Sequence, residues 1–162
     1  MVGYRAPSFS IGADSLWAHD VLSEAGYSYS SSIFPISHDH YGLPEAPRFP
    51  FRLANRELLE IPLSSLRVLG RNWPCAGGGY FRFFPLAYSK WAMGRINRKE
   101  SMPGIFYFHP WELDPEQPRI EDIPAKAKFR HYLNLDKFEG RMANMLNTFR
   151  WNSLRSVFLD AV

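Results

Sequence analysis

A histidine stands at the end of the most apolar short segment in the sequence. Residues 105–108 are continuously apolar or aromatic, which predicts a strand buried on both faces, and His109 follows directly. Reactive side chains of α/β proteins commonly lie at the carboxyl ends of strands. A histidine in that position can donate or accept a proton near neutral pH. His109 is therefore a candidate general acid or base. The alternative is a core histidine that hydrogen-bonds a backbone carbonyl.

Arg5 is the second candidate catalytic residue. It ends a predicted strand at residues 2–5, and Pro7 follows two positions later. An arginine fixed in this way can hold a carboxylate through two parallel hydrogen bonds. The alternative is a surface arginine at the end of a strand.

The segment His38-Asp39-His40 has the composition of a metal site. A His-x-His spacing can place two imidazoles on one side of an extended segment. However, no third ligand follows at a recognisable spacing. A solvated loop or a substrate contact is therefore favoured over a metal site, and we predict no metal ligands in this chain.

Aromatic residues make up 16% of the sequence, and most of them are expected in the core. Trp111 is the exception, because it comes two residues after the candidate acid and its ring could stack on a sugar face. Three consecutive glycines, 77–79, precede Tyr80 but lack the spacing of a phosphate-binding loop. The candidate substrate-binding residues are Pro7, His38, Asp39, Tyr80, Trp111 and Glu112.

Strand-like and helix-like segments alternate along the chain, which predicts an α/β fold. The helices are predicted at residues 15–25, 85–99, 126–132 and 136–149. The strands are predicted at residues 2–5, 27–29, 33–34, 58–61, 66–69, 80–84, 105–109 and 157–159. Proline-rich ordered loops are predicted at residues 35–50 and 114–124.

Composition excludes several classes of protein. A hydrophobic content of 46% over 162 residues is too high for a disordered chain, and one cysteine excludes an intrachain disulfide. No apolar run reaches the roughly 18 residues of a membrane span, and the first residues lack the pattern of a signal peptide. The net charge is +3 with scattered basic residues, so nucleic acid is not expected as a partner. The basic pI leaves nucleic-acid or membrane-surface binding only as a weaker reading.

Three separated stretches, residues 3–11, 26–35 and 105–112, together resemble one family. The sequence resembles the polysaccharide deacetylases of carbohydrate esterase family 4, which have the NodB-homology fold. It is most similar to the bacterial subgroup found with exopolysaccharide and exosortase loci. Residues 77–82 and 129–136 resemble the extra C-terminal region of that subgroup.

This resemblance implies a distorted (β/α) barrel and metal-assisted removal of N-acetyl groups from the amino sugars of a polysaccharide. Arg5 and Pro7 match the Arg-x-Pro motif, whose arginine orients the catalytic aspartate. His109 matches the histidine that protonates the leaving amine. We therefore expect residues 1–112 to form the C-terminal part of the deacetylase domain and residues 113–162 to be a subgroup-specific extension packed on it.

Two motifs of the family are missing from the sequence. It contains neither the Asp-Asp pair nor the His-x-x-x-His motif that supply the base aspartate and the metal ligands. We therefore expect a barrel that is incomplete at its N-terminus and an isolated chain without activity. The zinc or similar divalent metal of the full-length family proteins would have no ligands here. We also expect possible self-association through the exposed edge of the first strand. The alternative is a non-catalytic carbohydrate-binding or scaffold remnant.

Overall fold

A computed structural model describes residues 2–53 and 57–160. Its main sheet has four very short strands in the order β1-β2-β4-β3, in which β1, β2 and β4 run parallel and β3 is antiparallel to β4. The strands are β1 (Gly3–Tyr4), β2 (Tyr29–Ser30), β3 (Phe51–Arg52) and β4 (Leu59–Glu60). Parallel pairing places the carboxyl ends of three strands at one edge of the sheet.

A separate antiparallel hairpin follows the sheet. It consists of β5 (Ser65–Val68) and β6 (Arg71–Pro74), and Leu69 and Gly70 form the connecting turn. The first of these strands matches the prediction at 66–69. No strand is predicted at the position of the second, β6.

Six α-helices complete the fold. They are α1 (Ala18–Glu24), α2 (Gly78–Phe83), α3 (Leu86–Lys99), α4 (Ala125–Tyr132), α5 (Phe138–Thr148) and α6 (Leu154–Phe158). The predicted helices at 85–99, 126–132 and 136–149 are confirmed to within two residues. The predicted helix at 15–25 is shorter, because a separate 3-10 turn occupies Ala13–Ser15.

Four predicted strands are wrong, and the first of them, at residues 33–34, lies in no strand of the described chain. Residues 80–83 belong to α2 and residues 157–158 to α6, although their aromatic and β-branched side chains favour strands. Residues 105–109 pair with no strand in the described part of the chain. The backbone N–H of Ile105 donates instead to the Oγ of Ser64, at 2.7 Å. Tertiary contacts here override the local preference of the sequence.

The sheet is open, and the residues described form no closed barrel. The α/β class is confirmed, but the predicted barrel is not. Among the residues that the structure describes, β1 lies at one end of the sheet and pairs with β2. None of the described helices is long and apolar enough to span a membrane.

Residues after 112 pack against the rest of the chain through α5. Phe138, Met142 and Met145 on α5 form one buried cluster with Phe81 of α2 and Met93 of α3. A second cluster, under the sheet, contains Phe9, Phe34, Ile36, Ile61, Leu63 and Ile105. Helix α5 is thus held to α2 and α3 by a shared hydrophobic cluster.

A buried acid ties α1 to two strands. Glu60 of β4 is fully buried, and its Oε1 accepts hydrogen bonds from the N–H groups of Ser32 and Ile33, both at 2.8 Å. Its Oε2 lies 3.0 Å from Nε2 of His19, which is also fully buried. Both carboxylate oxygens are therefore satisfied, which a buried charge requires.

We predict that Glu60→Ala lowers the free energy of unfolding by about 3–5 kcal/mol, since it leaves His19 and two backbone N–H groups without their acceptor. Urea denaturation measures this change. Glu57→Ala, at an exposed residue just before the same strand, is the control and should stay within about 0.5 kcal/mol of the parent. A loss below about 1 kcal/mol for Glu60→Ala would contradict the role given to this network.

Candidate functional site

The carboxyl edge of the sheet holds Arg5 across three strands. Its Nε donates to the backbone carbonyl of Ser31 at 2.9 Å, and its Nη2 donates to the Oγ of Ser31 at 2.8 Å. Ser31 Oγ in turn donates to the carbonyl of Ile61 at 2.7 Å. Arg5 follows β1, Ser31 follows β2 and Ile61 follows β4, so the parallel register fixes the arginine.

Arg5 has no acidic partner among the residues that the structure describes. Both of its hydrogen bonds go to neutral oxygens of Ser31. Burial lowers the pKa of Arg5, and the more distant Glu60 only partly opposes that shift. The guanidinium lies over the ring of Tyr107, 5.6 Å from its centre. A partly buried cation held in this way is ready to receive a carboxylate.

Tyr107 lies near both Arg5 and His109. Its ring contacts Phe9 edge-on at 4.9 Å and lies 5.9 Å from the His109 ring. Burial raises the pKa of Tyr107, so the phenol stays protonated at neutral pH. Gly77 lies so close to this ring that a Cβ there would overlap it. The two predicted catalytic residues therefore both lie near one fixed aromatic ring, at 5.6 and 5.9 Å from its centre, although Arg5 does not line the cleft of His109.

His109 is exposed, and its backbone is held by Glu112. The His109 N–H donates to Oε2 of Glu112 at 2.8 Å, while the Glu112 N–H donates to the His109 carbonyl at 3.0 Å. These reciprocal bonds close the 3-10 turn Pro110–Leu113, which starts with proline as such turns favour. His109 is thus a surface imidazole on a fixed backbone, and not a core histidine.

Glu112 forms a buried ion pair with Arg82 of α2. The two side chains are 1% and 2% exposed, and Arg82 Nε donates to Glu112 Oε1 at 2.8 Å. Arg82 Nη1 also donates to the carbonyls of Arg130, His131 and Leu133, at 3.2, 2.9 and 3.0 Å. This pair joins α2, the turn after His109 and the end of α4. Glu112 also lines the His109 cleft, and its carboxylate holds both Arg82 and the backbone of His109.

Three rings stack in a row beside this pair. The rings of His109 and Trp111 lie 5.8 Å apart and 10° from parallel, and those of Trp111 and His131 lie 4.3 Å apart and 14° from parallel. His131 Nε2 lies 2.8 Å from Oε1 of Gln117. Burial and the nearby Arg82 lower the pKa of His131, so this imidazole is neutral at neutral pH. The stack fixes the plane of Trp111.

Two adjacent clefts lie beside Tyr107 and share one wall. The His109 cleft has a volume of about 590 Å³ and includes His109, Trp111 and His131. The His38 cleft has a volume of about 560 Å³ and includes His38 and Tyr80. The common wall consists of Tyr41, Gly79, Tyr107, Lys126 and Arg130. This arrangement suits a ligand of several linked units more than one small molecule.

His38 belongs to the aromatic lining of its cleft. Its ring stacks on Tyr41 at 3.9 Å and 9°, and it meets Tyr80 edge-on at 6.4 Å. Burial lowers the pKa of His38 and raises that of Tyr80. Both groups are therefore neutral at neutral pH and can contact a ligand through their faces and hydrogen bonds.

Asp39 connects the loop 38–40 to α4. It accepts hydrogen bonds from Lys126 Nζ at 3.1 Å and from Arg130 Nη2 at 3.3 Å. The bond from Lys126, with the charge of Arg130, holds the pKa of Asp39 well below its usual range. Asp39 is thus an ionised carboxylate shared between two cations.

The structure brings most of the predicted site residues together. His109 and Trp111 line one cleft, His38 and Tyr80 line the other, and Asp39 contacts their common wall. Pro7 is exposed at the start of the 3-10 turn Pro7–Phe9 and lines neither cleft.

Several lining residues were missed by the sequence reasoning: Tyr41, Tyr107, Lys126, Arg130 and His131. Lys126 and Arg130 are four residues apart in the predicted basic helix at 126–132. This spacing places both cations on one face of the helix, which could have indicated a shared role.

The described residues include no group of three His, Cys, Asp or Glu side chains that could hold a metal ion. His38, Asp39 and His40 do come close together, with Asp39 Oδ1 3.2 Å from His38 Nδ1 and Asp39 Oδ2 3.8 Å from His40 Nε2. However, the same carboxylate binds the two cations of α4, which disfavours a further positive ion.

The fold and the site define a mixed α/β protein with two adjacent clefts, the His109 cleft and the His38 cleft, that aromatic side chains line. The chain belongs to the family described as Domain of unknown function (DUF3473), whose model matches residues 31–159. That range includes both clefts apart from the residues contributed by the segment before β2. In comparisons with curated proteins and with solved structures, no protein matched the chain.

We predict that Gly78→Ala disrupts the Arg82–Glu112 pair, because a Cβ at this glycine would overlap the Glu112 carboxylate. The expected loss in the free energy of unfolding is at least about 2 kcal/mol, since a buried pair is forced apart or α2 must shift. Urea denaturation measures the loss, and NMR shifts of the His109 ring report its position.

Gly79→Ala is the matched control, because a Cβ there meets no atom within 4 Å. Alanine is the better helix former, so this variant should be as stable as the parent or up to about 1 kcal/mol more stable. Equal effects of the two substitutions would show that the close approach at Gly78 is unimportant.

Proposed function

We propose that this chain provides the substrate-binding and proton-donating part of a metal-dependent deacetylase that removes N-acetyl groups from the amino sugars of a bacterial exopolysaccharide. The resemblance of residues 3–11, 26–35 and 105–112 to polysaccharide deacetylases supports the activity. The open sheet with three parallel strands is compatible with part of a NodB-type barrel, and we include that fold in the proposal.

The observation that carries the proposal is the placement of Arg5 and His109 about Tyr107. Arg5 lies 5.6 Å from the centre of that ring, and the rings of Tyr107 and His109 are 5.9 Å apart. The arginine lacks an acidic partner in the described part of the chain, and the histidine is exposed to a cleft. A carboxylate received by Arg5 would lie near Tyr107, whose ring is also near the proton donor.

The chemistry assigns a definite step to His109. Hydrolysis of an N-acetyl group adds water to the carbonyl, breaks the C–N bond and yields acetate and a free amine. The amine leaves only after its nitrogen has gained a proton. The protonated imidazole of His109 donates that proton, while Trp111, which lines the same cleft, contacts the sugar with the part of its indole that the stacked histidines leave accessible.

The divalent metal of the polysaccharide deacetylases does not fit the residues described, because no group of three suitable ligands is present among them. We therefore propose that the metal ligands and the base aspartate are not supplied by the residues described. The residues here bind the sugar, hold a carboxylate at Arg5 and supply a proton.

We predict that Trp111→Ala weakens the binding of chitohexaose, a six-unit N-acetylglucosamine oligomer, by roughly tenfold, since about 1.4 kcal/mol of contact with the indole is lost. Isothermal titration calorimetry on the full chain measures the affinity. Trp91→Ala is the control, because Trp91 is half-exposed on α3 and lines neither cleft. Binding that is absent, or insensitive to Trp111, would refute the proposed substrate site.

We further predict no acetate release from chitohexaose by the isolated chain with added zinc, cobalt or manganese. In a fusion that supplies Asp-Asp and His-x-x-x-His segments, turnover should appear, and His109→Ala should lower kcat by roughly 10²–10⁴. The metal content of the fusion, measured in parallel, should not change.

Three outcomes would decide against this assignment. Substantial metal-dependent turnover by the isolated chain would contradict the division of roles. Loss of metal in His109→Ala would make His109 a ligand and not the acid. Binding without turnover in every fusion would favour the alternative of a non-catalytic carbohydrate-binding protein.

A further inference from the structure

The two clefts carry an excess of positive charge that the overall composition does not predict. Their common wall contains two cations, Lys126 and Arg130. The protein as a whole is nearly balanced, with 19 basic and 16 acidic residues. The cations are therefore concentrated at this place.

The acids at the clefts do not offset this charge. Glu112 is buried and paired with Arg82. Asp39 is a single carboxylate that serves both Lys126 and Arg130, at 3.1 and 3.3 Å. The wall therefore keeps one unbalanced positive charge before any histidine is protonated.

The two cations are also free to exchange partners. The side chains of Lys126 and Arg130 are 71% and 45% exposed, and that of Asp39 is 41% exposed. Exposed ion pairs are weak, so a carboxylate entering the cleft can replace Asp39 at little cost. Asp39 thus occupies the position at Lys126 and Arg130 that a carboxylate of the ligand would take.

We propose that the clefts bind an acidic polysaccharide in which a uronic acid carboxylate lies at Lys126 and Arg130 while a neighbouring N-acetylated sugar contacts Trp111. This inference rests on the proposed function and names its substrate class. Arg130 is close to the stack through Arg82, which donates to the Arg130 carbonyl at 3.2 Å and lies over the Trp111 ring at 5.2 Å.

The test compares two six-unit oligosaccharides by calorimetry on the full chain. Hyaluronan hexasaccharide alternates N-acetylglucosamine with glucuronate, whereas chitohexaose contains N-acetylglucosamine alone. We expect hyaluronan to bind about three- to tenfold more tightly at low ionic strength, and we expect this ratio to approach one as salt is added.

Three variants assign the preference to the wall. Lys126→Gln should lower the ratio about threefold, and Asp39→Asn should raise it, because the competing carboxylate is removed. Lys128→Gln is the control: it removes the same charge from an exposed residue of α4 that lines neither cleft, and it should keep the ratio. Urea denaturation verifies that each variant is folded.

The failures of the two proposals are distinguishable. Equal affinity for both oligosaccharides, or a ratio unaffected by Lys126 and Asp39, overturns this inference and leaves the proposed function standing if chitohexaose binding still needs Trp111. Displacement of hyaluronan by an equal concentration of free glucuronate also overturns it, since that shows a site for small anions only. If neither oligosaccharide binds, the proposed function fails as well.

Discussion

The buried ion pair between Arg82 and Glu112 is the constraint on which the site depends. Removing two charges from water costs several kcal/mol for each ion, and that cost is recovered only when every polar atom finds a partner. Here Glu112 binds the guanidinium and the backbone of His109, and Arg82 binds three carbonyls at the end of α4. These bonds fix His109, the plane of Trp111 and the wall of the clefts together. The same pair explains why Gly78 has no side chain.

A second buried hydrogen-bond network is centred on Glu60 of β4. Glu60 joins α1 to the segments after β2 through His19 and two backbone N–H groups. Above it, Arg5 spans the carboxyl ends of the parallel strands through Ser31. The strands themselves have only two residues each, so the sheet owes its register to these side chains more than to its ladder. Arg5 and His109 are consequently held near Tyr107 by two different networks.

The candidate site was largely predictable at the level of residues, and much less at the level of roles. His109 and Trp111 follow from an apolar segment that ends in His-Pro-Trp, and the structure leaves both accessible in one cleft. Glu112, adjacent in sequence, was grouped with them but is buried, because only a tertiary partner, Arg82, decides which way its carboxylate faces. The prediction of a strand at residues 80–84 is wrong for a related reason. Its aromatic residues favour a strand locally, yet helix α2 brings Phe81 into the core and Arg82 to Glu112.

The sequence by itself determined the α/β class, three of the main helices and the short list of residues able to do chemistry, because periodicity, proline positions and side-chain type are local properties. It also determined that this chain contains neither an Asp-Asp pair nor a His-x-x-x-His motif. The tertiary structure alone decided that the sheet is open, that Asp39 is shared by Lys126 and Arg130, and that the clefts carry surplus positive charge. Those features join residues up to 91 positions apart. Charge balance and burial at such separations depend on which surfaces pack together, and no local pattern in the sequence records that packing.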